Sequence, residues 1–118
     1  MKVLVIDDEL QILEMISKIL TRNGYDVTAV SNLTDASREL QKKGWDIIIT
    51  DVMIPYKGGF ELVEDIKSRS QTPVIIITGM SEDVLKATVH KADMLFQKPF
   101  NGVDLLEGVK KLTQERAF

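Results

Sequence analysis

The chain contains no cysteine among its 118 residues, and it has only one histidine and one tryptophan. Without cysteine it can form no disulfide, bind no iron–sulfur cluster through thiolates and build no thiolate zinc site. The same absence favours an intracellular, cytoplasmic location. Functions that depend on a disulfide, a thiolate-bound iron–sulfur cluster or a zinc-thiolate site are thereby excluded.

Excess positive charge is also missing, because 15 Lys and Arg residues face 18 Asp and Glu residues, for a net charge of −3. Surfaces that bind nucleic acid or anionic membranes concentrate basic residues. No apolar run approaches the roughly 20 residues of a membrane-spanning helix. The apolar stretch before Asp7 is too short for a signal peptide. We therefore expect no nucleic-acid binding by this chain alone and no membrane association.

The composition present is that of one globular domain, with 44% hydrophobic and 28% charged residues. Without a visible linker or repeat, we expect this domain to fill residues 1–118. Strand-like apolar runs lie at about 2–7, 26–31, 46–50, 73–77 and 93–97. A helical pattern follows each run. Such regular alternation predicts βαβ units, a parallel sheet and the α/β class.

The helical patterns have recognisable ends. The predicted helices cover about 8–24, 33–43, 58–69, 81–90 and 101 to the C-terminus. Asp8 and Gln11 form a plausible capping pair for the first helix. Its expected core stripe consists of Leu10, Leu13, Ile16 and Leu20. A second apolar stripe, of Ile12, Met15 and Ile19, should reach the surface in part.

Acidic residues stand where two of the apolar runs end. Asp7 and Asp8 close the run Val3–Ile6, and Asp51 closes the run that begins at Ile47. Chemistry in open α/β sheets collects at the carboxyl ends of buried parallel strands, so neighbouring strands would bring these acids together. Carboxylates so close repel one another and need a cation or raised pKa values. An all-oxygen set suits a hard divalent ion, Mg²⁺ above all.

Two further polar residues follow strand-like runs. Thr78 ends the fourth run and Lys98 follows the fifth, which places acids, a hydroxyl and an ammonium at one sheet edge. A carboxylate there could attack a phosphoryl group while the lysine and the hydroxyl hold its oxygens. Asp51 is the better nucleophile, because the adjacent Asp7 and Asp8 can hold an ion together. For Asp8 alone, a simple helix-capping role is the competing interpretation.

These residues give the whole chain a resemblance to the response-regulator receiver domains of bacterial two-component signalling. The matching segments are Asp7-Asp8, Asp51-Val52-Met53-Ile54-Pro55 with Gly59 beyond it, Thr78-Gly79 and Lys98-Pro99-Phe100. The resemblance implies a flavodoxin-like (βα)5 three-layer sandwich whose five parallel strands have the order 2-1-3-4-5.

The same resemblance implies roles for the site residues. Asp51 would be the phosphoacceptor, with Thr78 and Lys98 as its catalytic partners. Mg²⁺ would be the cofactor, bound by Asp8, Asp51 and the backbone carbonyl of Met53, with help from Asp7. The protein would then catalyse only its own phosphorylation and dephosphorylation.

The implied partners are a sensor histidine kinase or a histidine phosphotransfer protein and a downstream protein target. Ile12, Met15, Pro99 and Phe100 are the expected docking contacts. We expect a stand-alone receiver that switches protein contacts or relays phosphate, as a monomer or a weak phosphorylation-dependent dimer.

One position departs from the family pattern. Leu95 stands three residues before the lysine, where most receivers have an aromatic residue that turns inward on activation. The interval from Thr78 to Lys98 is also shorter than in most members. By strand alternation, Phe96 should face the opposite side of the sheet. The switch and output surface should therefore be atypical.

Two alternatives stay open. One is a small Mg²⁺-dependent phosphatase with an aspartyl nucleophile, although Met53 occupies the position where such enzymes carry a second acid. The other is a receiver fragment cut from a larger regulator with an output domain.

Overall fold

A computed structural model describes residues 1–51, 59–79 and 92–116 of the chain. The strands are β1 Lys2–Ile6, β2 Asp26–Val30, β3 Ile47–Asp51, β4 Val74–Thr78 and β5 Met94–Gln97. The helices in these parts are α1 Leu10–Arg22, α2 Leu33–Leu40, α3 Gly59–Arg69 and α4 Gly102–Arg116. All neighbouring strands are parallel, in the order β2-β1-β3-β4-β5. The predicted fold class and strand order are confirmed.

The three central strands, β1, β3 and β4, are buried on both faces, which explains why they appear as continuous apolar runs. On one face, α1 and α4 cover the sheet, and their core residues are Leu13, Ile16, Leu20, Leu105, Leu106 and Val109. On the other face, α2 and α3 contribute Ala36, Val63 and Ile66. The sheet is thus the middle layer between two layers of helices.

The start of α1 differs from the prediction. The helix begins at Leu10, with Glu9 as its N-cap residue, and no side chain caps it. Asp8 and Gln11 therefore do not form the predicted capping pair. The Asp7 side chain instead accepts a hydrogen bond from the Glu9 backbone N–H at 2.8 Å, which fixes the turn between strand and helix.

The predicted core stripe of α1 is right for Leu13, Ile16 and Leu20 and wrong for Leu10, which is 69% exposed. Helical side chains lean toward the N-terminus, so a residue in the first turn projects past the sheet edge instead of over it. The second stripe, Ile12, Met15 and Ile19, is half-buried against the α1–α4 core.

The other helices agree with the prediction apart from their ends. Helix α2 stops at Leu40, short of the predicted end. The turn that follows contains Gly44 at φ +97°, a conformation that a residue without Cβ adopts readily. The predicted helix at 81–90 lies outside the described residues. Within the described ranges, no helix has both the length and the hydrophobicity needed to cross a bilayer.

Candidate functional site

The polar residues predicted to converge do meet at the carboxyl edge of the sheet. Asp7 directly follows β1, Asp51 ends β3 and Thr78 ends β4. Their exposed fractions are 0%, 3% and 0%. Lys98 follows β5, and its backbone N–H donates to the Thr78 carbonyl at 2.7 Å. Burial of three polar residues at one edge marks it as the functional end of the sheet.

Lys98 lies at the centre of the site. Its Nζ is 2.9 Å from Asp51 Oδ2, 2.9 Å from Asp7 Oδ2 and 2.7 Å from Glu9 Oε1. The lysine side chain is only 13% exposed. Burial alone lowers the pKa of an ammonium, but the close carboxylates of Glu9, Asp7 and Asp51 outweigh this effect and raise the pKa of Lys98. Lys98 is therefore a fixed positive charge at neutral pH.

Four acids surround this one cation. Carboxylate oxygens of Asp7, Asp8, Glu9 and Asp51 lie within 4.8 Å of one another. Asp7 and Asp51 are buried, whereas Asp8 and Glu9 are exposed. Four carboxylates and one ammonium leave an excess of negative charge that a divalent cation would offset. Because all the ligand atoms are oxygens, the set suits Mg²⁺ or another hard ion.

Asp7 is the most confined of these acids. Its Oδ1 accepts from the Glu9 backbone N–H. Its Oδ2 is buried and has no hydrogen-bond partner among the described residues, since the Lys98 contact is an ion pair without hydrogen-bond geometry. Burial raises the pKa of the Asp7 carboxyl, and the opposing effect of Lys98 and the Glu9 N–H is smaller. An underpartnered buried oxygen beside other acids fits a cation ligand.

We expect Asp7→Asn to stabilise the metal-free protein by about 1 kcal/mol at pH 7. Because the pKa of Asp7 is raised in the folded state, its protonation favours folding, and this contribution is lost as the pH rises through the folded value. The amide has no charge to bury, so the gain should shrink to nothing in acid. Urea unfolding of both proteins with EDTA, from pH 3 to 8, measures it. Equal midpoints at pH 7 would contradict the prediction.

Glu9 was not among the predicted site residues, although its carboxylate makes the shortest ion pair to Lys98. Acids are common at helix N-termini because the helix dipole favours them. An acid at this position therefore does not by itself indicate a site residue. Its position directly after Asp7-Asp8 was the available clue. Met53, predicted as a backbone ligand, lies outside the described residues.

The predicted switch and docking residues lie around this edge. Leu95 packs against the α2–α3 core, and Phe96 packs against the α1–α4 core, as strand alternation predicted. Pro99 is exposed and follows a cis peptide bond from Lys98. Phe100 is half-buried, with its ring centroid 6.2 Å from that of Phe96. The structure places these side chains, while their switch and docking roles stay predictions.

The sequence model of the response regulator receiver domain matches residues 3–110. The chain belongs to this family. The receiver domain is 33% identical over 99% of its length to the regulatory protein VanRc of Enterococcus gallinarum, of which it covers 51%. It is 30% identical over 98% of its length to a transcriptional regulatory protein, the CpxR homolog of Haemophilus influenzae, of which it covers 52%. It thus spans about half the length of these curated relatives.

Solved receivers have the same fold. The receiver domain of the Francisella response regulator 1452 aligns with a TM-score of 0.89 at 30% identity, over 98% of each chain. The response regulator TrrA of Thermotoga maritima, solved in complex with Mg²⁺ and BeF, aligns with a TM-score of 0.84 at 29% identity, over 94% of this receiver and 97% of TrrA.

Proposed function

We propose that this receiver accepts a phosphoryl group on Asp51 from a phosphohistidine of a sensor histidine kinase or histidine phosphotransfer protein. The observation that carries the proposal is the Lys98 ammonium 2.9 Å from the buried Asp51 carboxylate, beside an excess of acid. The added charge would shift a two-state equilibrium and so switch contacts with a downstream protein, or the phosphate would be relayed.

In this reaction an Asp51 carboxylate oxygen forms a bond to phosphorus while the bond from phosphorus to the histidine nitrogen breaks. The leaving imidazole keeps the electron pair of that bond. Lys98 would bind a phosphoryl oxygen as a point charge, and the Thr78 hydroxyl would donate to another. Because these groups sit on strand ends, they would be held in place before the donor arrives.

Asp7, Asp8, Asp51 and the backbone carbonyl of Met53 are the proposed ligands of Mg²⁺. When bound, Mg²⁺ supplies charge stabilisation to the phosphoryl oxygens. The buried, underpartnered Asp7 oxygen and the all-oxygen donor set support this assignment. The Mg²⁺ complex of TrrA supports it by likeness.

We expect acetyl phosphate to add one phosphoryl group to the wild-type protein only when Mg²⁺ is present. Acid repulsion at the site opposes an anionic donor until a cation offsets it. Intact-protein mass spectrometry with Mg²⁺ or with EDTA measures the adduct, and borohydride reduction followed by peptide mapping locates it. A wild-type protein that stays unmodified with saturating Mg²⁺ would overturn the proposal.

Further parts of the proposal go beyond the chemistry of Asp51. We propose one domain over residues 1–118, with partner contacts through Ile12, Met15, Pro99 and Phe100. Stand-alone action is tested by the size of the native protein in cell extracts, since the curated relatives are about twice as long.

Turnover of a small phosphate ester by the purified protein with Mg²⁺ would favour the phosphatase alternative.

A further inference from the structure

Three carboxylate oxygens of the described residues lie close to the ammonium of Lys98. An ammonium carries three N–H groups. Hydrogen bonds to Glu9 Oε1 at 2.7 Å and to Asp51 Oδ2 at 2.9 Å use two, and Asp7 Oδ2 lies at 2.9 Å as the third anionic neighbour. A phosphoryl oxygen that binds Lys98 therefore competes with these carboxylates for the ammonium.

The three carboxylates differ in how easily they can give up the lysine. The Asp7 side chain is fully buried and that of Asp51 is 5% exposed, whereas that of Glu9 is 58% exposed. A buried carboxylate that loses its cation stays desolvated at high cost, while water replaces the partner of an exposed one. The contact between Lys98 and Glu9 is thus the one that breaks at the lowest cost.

We propose that Glu9 is a positioning residue that restrains Lys98 in the unphosphorylated receiver and slows phosphoryl transfer to Asp51. The ammonium leaves Glu9 as it engages the phosphoryl group, and the contact to Glu9 is available again after the phosphate is lost. This inference rests on the proposed function of Asp51. It assigns Glu9 a role beyond contributing charge to the acid cluster, because the role depends on the reach of its side chain.

Two variants separate contact from charge. Glu9→Gln removes the charge at nearly the same size, and Glu9→Asp keeps the charge but withdraws it from Lys98 by one methylene. Neither change removes a cap, because the Glu9 side chain makes no capping hydrogen bond. Glu14→Gln is the matched control, since it removes the same charge from an exposed position on α1.

The first measurement is the rate of phosphorylation by acetyl phosphate, at Mg²⁺ concentrations shown to saturate each variant. Both Glu9 variants should react about two- to fivefold faster than wild type, the size expected for loss of an exposed ion pair. Glu14→Gln should match wild type. Acceleration in Glu9→Gln without acceleration in Glu9→Asp would mean that only charge matters and would overturn the proposal, as would unchanged rates in both.

The second measurement needs no metal or phosphate. In the metal-free protein, ¹⁵N-detected exchange of the Lys98 Nζ protons with water reports the restraint itself. We expect this exchange to be at least about twofold faster in both Glu9 variants, which is the effect expected when an exposed ion pair is lost. Unchanged exchange would overturn the inference. If wild type takes no phosphate, the proposed function fails; if it does and the Glu9 variants behave like wild type, only this inference fails.

Discussion

Asp51→Asn should reduce phosphorylation by acetyl phosphate and Mg²⁺ more than about a thousandfold, to below detection, as expected when a nucleophile is removed. The amide is close in size to the carboxylate but is too weak a nucleophile to attack phosphorus. We do not expect the neighbouring acids to replace it, because the Asp7 carboxylate is fully buried against Lys98 Nζ at 2.9 Å and Asp8 is a proposed Mg²⁺ ligand. Intact mass over a time course measures the loss.

Asp26→Asn provides the matched control for this change. Asp26 is exposed at the start of β2, at the opposite end of the sheet from the site, so its loss of charge should leave the rate unchanged. Asp51→Asn should still fold, since Lys98 keeps its contacts to Asp7 and Glu9. An adduct of wild-type yield on Asp51→Asn would move the acceptor to another carboxylate and refute the assignment.

The fold could be predicted because the central strands carry a simple signal. Strands buried on both faces have to be apolar throughout, so their ends are marked where polar residues begin, at Asp7, Asp51 and Thr78. Parallel pairing then brings those ends to one edge. The positions of most site residues follow from these two facts, without any knowledge of side-chain geometry.

The parts that could not be predicted depend on where α1 begins. Asp8 and Glu9 are both acids next to a helix start, and either could be its cap by composition. Only the structure shows Glu9 at the N-cap with its carboxylate turned to Lys98. The late start of α1 also explains why Leu10 is exposed. Leu10 fits the helical period of the core stripe, but it lies before the point where α1 covers the sheet.

A second feature that periodicity did not reveal is how closely α4 approaches β5. Gly108 is buried in the middle of α4, where glycine costs helix stability relative to alanine. A Cβ at this position would lie 2.5 Å from Met94 Sδ and 3.2 Å from Phe96 Cζ. The absence of a side chain thus permits the strand and helix to pack together.

Gly108→Val should lower the free energy of unfolding by about 2–3 kcal/mol, because a branched side chain overpacks a filled core. Met94 can turn aside, but the Phe96 ring is held against Phe100 and the α1–α4 core. The better helix propensity of valine offsets only a small part of this cost. Urea unfolding followed through the fluorescence of Trp45, the only tryptophan, measures the loss.

Gly102→Ala and Gly108→Ala form the matched pair that separates packing from helix propensity. A Cβ at Gly102 would meet Ile19 Cδ1 at 3.4 Å, an ordinary contact, so this change should be neutral or slightly stabilising. The Gly108→Ala protein should be less stable than the Gly102→Ala protein, although each change adds one methyl group to the same helix. If Gly108→Val is as stable as wild type, the Met94 and Phe96 side chains can move aside without cost, and the close approach of α4 to β5 does not require glycine.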